Sequence, residues 1–119
     1  MRIKKDQIYI SPSDLNNFVS CKYHAFNDLN AHEKNLKKKE PSEDMKLWRR
    51  YGDEHEAKHL KLLKDKYSNN ITIDPTKSDE DRFNNTIDAI KKGFDLIYKA
   101  YFIEDQFRGE ADFLIKTNV

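Results

Sequence analysis

The spacing of apolar positions changes along the chain, and each change marks an element. A short alternating run from Gln7 to Ile10 predicts a strand. Ser11-Pro12-Ser13-Asp14 then supplies a serine cap, a proline in the first turn and an acid three residues after the cap. A helix is predicted from there, with Leu15, Phe18, Val19, Tyr23 and Phe26 as its apolar stripe. Between His32 and Glu43 the apolar residues thin out and Lys34, Lys37, Lys38 and Lys39 crowd together, which predicts a loop or a frayed helix end. Pro41-Ser42-Glu43-Asp44 opens a longer helix running to Tyr67, in which Trp48, Tyr51, Gly52, His55, Glu56, His59, Leu60 and Leu63 recur at helical spacing. Arg49, Lys58, Lys61 and Lys64 are assigned to its opposite, basic side.

The second half returns to strands. Ile71 to Asp74 reads as a short strand ended by Pro75, and Ser78-Asp79-Glu80-Asp81 caps a third helix bearing Phe83, Ile87 and Ile90, with Gly93 near its end. Two β runs, Ile97 to Ile103 and Phe107 to Lys116, flank the polar turn Glu104-Asp105-Gln106 and predict an antiparallel hairpin. Without repeats or a low-complexity linker, the expectation is one domain over residues 1–119 with an α/β or α+β layered fold.

Composition narrows this picture only slightly. Charged residues make up 36% of the chain, but 22 Lys and Arg nearly balance 21 Asp and Glu, so net charge does not announce a polyanionic partner. A single cysteine, Cys21, excludes an intramolecular disulfide and is expected to be a buried, inert thiol. Neither a signal-peptide core nor an apolar run of about 18 residues is present, so a cytoplasmic protein without membrane contact is expected.

Two segments carry candidate chemistry. In Gly52-Asp53-Glu54-His55-Glu56, Gly52 lies one helical turn before His55 and Glu56 and removes a side chain beside theirs. That makes room for a metal or a close backbone; equally, it suits an amphipathic helix whose glycine relieves a crossing. His55-Glu56-Ala57-Lys58-His59 also matches the short zincin string, although a peptidase needs a third ligand and a substrate cleft in the little chain that follows. The second segment is Gly109-Glu110-Ala111-Asp112 leading into Phe113-Leu114-Ile115. A carboxylate in a sheet interior must be paired or bind a cation, whereas on a solvated face with Arg108, Glu110 and Lys116 it needs nothing.

Taken in order, five motifs resemble a RecB-like nuclease of the PD-(D/E)XK superfamily: Ser11 to Cys21, the Gly52-x-x-His55-Glu56 helix, Thr86-x-x-Ala89-Ile90-x-x-Gly93, the strand Ile97-Tyr98-Lys99-Ala100, and Arg108-Gly109-x-x-Asp112-Phe113-Leu114. The resemblance implies an α/β fold with a mixed β-sheet flanked by helices, a restriction-endonuclease-like core truncated at its C-terminus. It implies Mg²⁺ or Mn²⁺ as cofactor and hydrolysis of DNA phosphodiesters in repair or processing, alongside a helicase domain or protein. By position, Glu56 or His55 matches the family's acid or histidine on the first core helix and Asp112 its metal-binding aspartate, which makes Glu56 and Asp112 the catalytic candidates and His55, Glu56 and Asp112 the metal candidates.

The family's Glu-x-Lys strand has no counterpart after Asp112, and Asp44-Met45-Lys46, at a helix start, is a coincidence of letters. The expectation is therefore an incomplete nuclease domain, inactive alone, with a catalytically dead module for DNA or protein binding as the alternative. An open sheet edge predicts self-association. Cys21 falls where some relatives carry the first of four cysteine ligands to an iron–sulfur cluster, which one thiol cannot hold outside a longer chain. Lys37, Lys38, Lys39, Arg49 and Lys58 are the candidates for DNA phosphates, with a solvated basic face as the plain reading.

Overall fold

The computed structural model describes residues 1–118. It contains four helices, a two-stranded sheet and a mixed three-stranded sheet, and so falls in the general α/β class. Two compact units are present: Met1–Lys39 with Phe102–Gly109, and Glu40–Tyr101 with the chain from Glu110.

In the first unit, β1 (Arg2–Lys4) pairs antiparallel with β2 (Gln7–Tyr9), Ile3 opposite Ile8. Sequence reading missed β1, because the turn is made by Lys5 and Asp6, both at positive φ, without the Asn-Gly or Gly signal such turns usually show. Ser11 then caps α1 (Pro12–Ser20) in a capping box: the Asp14 amide donates to Ser11 Oγ at 3.3 Å, and the Ser11 amide donates to Asp14 Oδ2 at 2.8 Å. The single long helix expected here is two. Cys21 adopts an extended conformation (φ −159°, ψ 111°) that ends α1 and starts α2 (Lys22–Glu33), so Tyr23 and Phe26 leave the stripe begun by Leu15. Cys21 is exposed rather than buried, since it lies at this break and outside either helix face. The hairpin tip joins the unit through Ile10, whose amide donates to the Gln106 carbonyl at 3.0 Å and whose carbonyl accepts from the Arg108 amide at 2.9 Å. A Cβ at Gly109 would lie 3.4 Å from Pro12 Cγ, the edge of close contact.

The second unit begins with α3 (Glu43–Lys66), capped by Ser42 and carrying acids in its first turn and lysines in its last. β3 (Asn70–Thr72) follows, then α4 (Asp79–Lys92), capped by Ser78 and closed by Gly93 in the left-handed conformation at φ 77°. β4 (Leu96–Glu104) lies parallel to β3, with Ile71 opposite Ile97, and β5 (Phe107–Ile115) takes the edge beyond β4. The core is small: Ile73, Ala89, Ile97 and Ala100, with Ile71, Phe94, Ala111 and Leu114 packed around it.

Ile97 and Ala100 share this core although three residues apart, which strict alternation forbids. Lys99, at φ 60°, breaks the alternation between them. The buried Tyr101 amide beyond the break donates to the Thr86 hydroxyl at 2.9 Å, and that hydroxyl donates to the Arg82 carbonyl at 2.8 Å. By contrast α3 buries no residue: Trp48 and Tyr51, read as part of the face opposite its basic side, are 72% and 52% exposed.

Candidate functional site

The break at Lys99 decides where the charges of the second unit meet. Lys99 Nζ lies 2.7 Å from Glu56 Oε1, 2.9 Å from Asp112 Oδ1 and 3.3 Å from Glu110 Oε1. Glu56 comes from the middle of α3, Lys99 from the break in β4, and Glu110 and Asp112 from alternate positions of β5. The expected meeting of residues 56 and 112 therefore exists, and it is organised around an ammonium group. Glu110 also pairs with Arg82 of α4, whose guanidinium stacks 4.1 Å from the Tyr101 ring centroid. The Tyr98 hydroxyl donates to Glu56 Oε1 at 2.6 Å, and its ring packs on Phe113 with centroids 5.4 Å apart.

These contacts set the protonation states. Hydrogen bonds from Lys99 and then Tyr98 hold the Glu56 carboxyl below its ordinary range against a smaller opposing effect of burial. Burial alone would lower Lys99, but its hydrogen bonds to Glu56, Asp112 and Glu110 outweigh that and push it well above the usual lysine value. Burial and the bond to Glu56 raise the Tyr98 phenol. At neutral pH the site is thus a lysinium among carboxylates, with Asp112 55% exposed and the rest more sheltered.

Three carboxylates are the hard oxygen donors that Mg²⁺ or Mn²⁺ takes. They fit in kind and number but not in spacing while Lys99 holds them: they sit at ammonium distances, longer than the roughly 2.0–2.1 Å that Mg²⁺ demands. Accordingly, among the described residues no group of three His, Cys, Asp or Glu is arranged to hold a metal.

The other candidates lie elsewhere. His55 is exposed and stacks on His59, ring centroids 6.4 Å apart, rather than joining the carboxylates, and His59 meets Phe113 edge-on at 5.3 Å. Glu56 turns from both histidines to Lys99 and Tyr98, so the zincin string does not act as a unit. A Cβ at Gly52 would meet nothing within 4 Å, so among the described residues none uses the close approach that this glycine permits. Lys37, Lys39, Arg49 and Lys58 are exposed, while Lys38 is bonded to Asp28 at 2.9 Å. On the continuous helix Arg49 precedes Glu56 by two turns and shares its side, which corrects its assignment to the opposite face. Cys21 is a free, exposed thiol.

The sequence left Asp112 either neutralised or on a solvated face; it is half exposed and paired with Lys99, a partner that sequence reading did not identify. The signal was Lys99 itself, a lysine inside the otherwise apolar run Leu96 to Ile103. Among the described residues no helix is long and apolar enough to cross a membrane. A scan of protein-family models, a search of curated proteins and a search of solved structures each find no match to this chain.

Proposed function

We propose that the second unit is the front part of a RecB-like, restriction-endonuclease-type nuclease site that hydrolyses DNA phosphodiesters with Mg²⁺ or Mn²⁺ held by Glu56, Asp112 and Glu110. The observation that carries this reading is the convergence of Glu56 from α3 and Asp112 from β5 on one point, 2.7 and 2.9 Å from the same nitrogen. When bound, the metal supplies positive charge to a phosphoryl oxygen and acidifies an attacking water. Glu56, held below its ordinary range by Lys99 and Tyr98, and Asp112 would bring carboxylates from two elements to the cation. With a metal bound, Lys99 would be the lysine that stands beside these carboxylates. Tyr98 fixes the Glu56 carboxylate by donating its hydroxyl proton.

A second reading has its own support. Lys99 already neutralises the carboxylates, which suits a nuclease-fold module that binds DNA or protein without cleaving. Two measurements decide between them. Mg²⁺- or Mn²⁺-dependent cleavage of DNA that falls at least about 100-fold in Asp112→Asn and Glu56→Gln, with the circular dichroism unchanged, is expected for the hydrolytic site. Calorimetric titration with Mn²⁺ should show Lys99→Met binding roughly tenfold or more tightly than the parent, because one positive charge a few ångströms away is removed. Absence of both cleavage and Mn²⁺ binding gives the site to the inert module.

A further inference from the structure

The exposed side of α3 carries a continuous strip of rings. Trp48, Tyr51, His55 and His59 follow one another at steps of three, four and four residues, which keeps them on one line of the helix surface over about 16 Å. The His55 and His59 rings are stacked with an interplanar angle of 12°, and His59 continues the line onto Phe113 and, through it, onto Tyr98 beside Glu56. Gly52, within the strip, has open space where a Cβ would be. A ring face in water gains nothing from solvent, and of these rings only His59 packs on another element, through its edge contact with Phe113.

The charges beside the strip select its occupant. Arg49 and Lys58 are exposed next to it, Arg50 stands over Tyr51 at 5.9 Å, and Glu54 is drawn toward Arg50 at 4.0 Å. Of the acids along this stretch, Asp44 lies at the N-terminal end, Asp53 on the far side from Trp48, and Glu56, next to His55, is held by Lys99 and Tyr98. Rings that offer stacking faces, flanked by cations for phosphates, form the sequence-tolerant platform that suits a single strand, whose bases are free to unstack, and not a duplex, whose bases are covered. At about 3.4 Å per stacked base, the strip accommodates four or five nucleotides, the short end of single-strand sites.

We propose that α3 binds single-stranded DNA along Trp48, Tyr51, His55 and His59 and leads the strand to the carboxylates at Lys99. This names the form of the substrate for the hydrolytic reading, and it rests on that reading only for what happens to the strand once it arrives. Trp48 is the chain's one tryptophan, so its fluorescence reports the contact directly. The test titrates the full chain, in EDTA and low salt, with a 20-mer of oligo(dT) and with a duplex of the same length. Saturable quenching of Trp48 by the single strand, with duplex binding at least about tenfold weaker, is expected. Tyr51→Ala and His55→Ala should each weaken binding roughly 5- to 20-fold, and as exposed positions they leave the fold intact. No quenching, equal response to duplex, or indifference to both substitutions overturns the proposal. Quenching or blue shift of Trp48 with protein concentration alone also overturns it, by giving the strip to a second copy. Because EDTA removes any metal, failure of cleavage in the separate Mg²⁺ assay leaves this result standing, and failure here leaves the cleavage result standing.

Discussion

At position 99 one lysine accepts an unfavourable backbone and is held there by charge. A left-handed conformation costs a non-glycine residue about 1–2 kcal/mol, and here three carboxylates oppose that cost by gathering around the side chain the break delivers. The same cluster dictates how stability depends on pH. Glu56, with its pKa depressed by Lys99 and Tyr98, contributes stability that is full above the ordinary Glu value near 4.5 and is lost as pH falls through the folded value. Lys99, with its pKa raised, contributes stability that is full below 10.5 and is lost as pH rises through its higher folded value. A plateau between about pH 5 and 10 is expected, and urea unfolding of Glu56→Gln across pH 3–6 should show a shallower acid slope than the parent. Identical slopes would remove Glu56 from the cluster's energetics. Asp14 and Asp74 lose stability in the same acid window, Asp14 because the N-terminal ammonium and Ser11 bond its carboxylate against the effect of burial, Asp74 because Thr76 does. The parent slope is therefore reduced by the substitution and not abolished.

Among the elements, the helix ends were legible and the strand irregularities were not. Ser11, Ser42, Ser78 and Gly93 announce their roles because a cap is a local exchange between a side chain and amides three residues away. The β1–β2 turn, the break at Cys21 and the break at Lys99 have no such local signature; each is imposed by where the neighbouring chain must go. The break in β4 also assigns a task to α4. Thr86 is fully buried and its hydroxyl accepts the Tyr101 amide, so Thr86→Val, nearly the same shape, should cost about 1–3 kcal/mol in urea unfolding by leaving that amide unsatisfied. Faster hydrogen exchange at Tyr101 in the variant checks the cause, and an unchanged rate would mean the amide finds another partner.

For the molecule as a whole, burial is concentrated in one of the two units. The residues of Ile73, Thr86, Ala89, Leu96, Ile97 and Ala100 are at most 2% exposed and all belong to the second unit, whereas α1 and α2 bury none of theirs. Native-state hydrogen exchange should therefore find the slowest amides in α4 and β4, with α1 and α2 opening at free energies well below the global value. Amides of α1 as slow as those of α4 would contradict this. β5 stands at the edge of the sheet among the described residues, bridged by Ile10 at Phe107, and its remaining length is the side from which self-association was expected.

The sequence by itself determined α3, α4, the serine caps and the closing hairpin, because propensity, capping and periodicity act over a few residues, and its resemblance to a nuclease family is what singled out Glu56 and Asp112. Only the tertiary structure decided that these two carboxylates share one lysine, that Glu110 joins them and His55 does not, and that the ring-bearing side of α3 stays in water. Those outcomes depend on a one-residue shift in β4 and on which surfaces the small core can cover. Both are set by contacts between residues far apart in the chain, which no local pattern encodes.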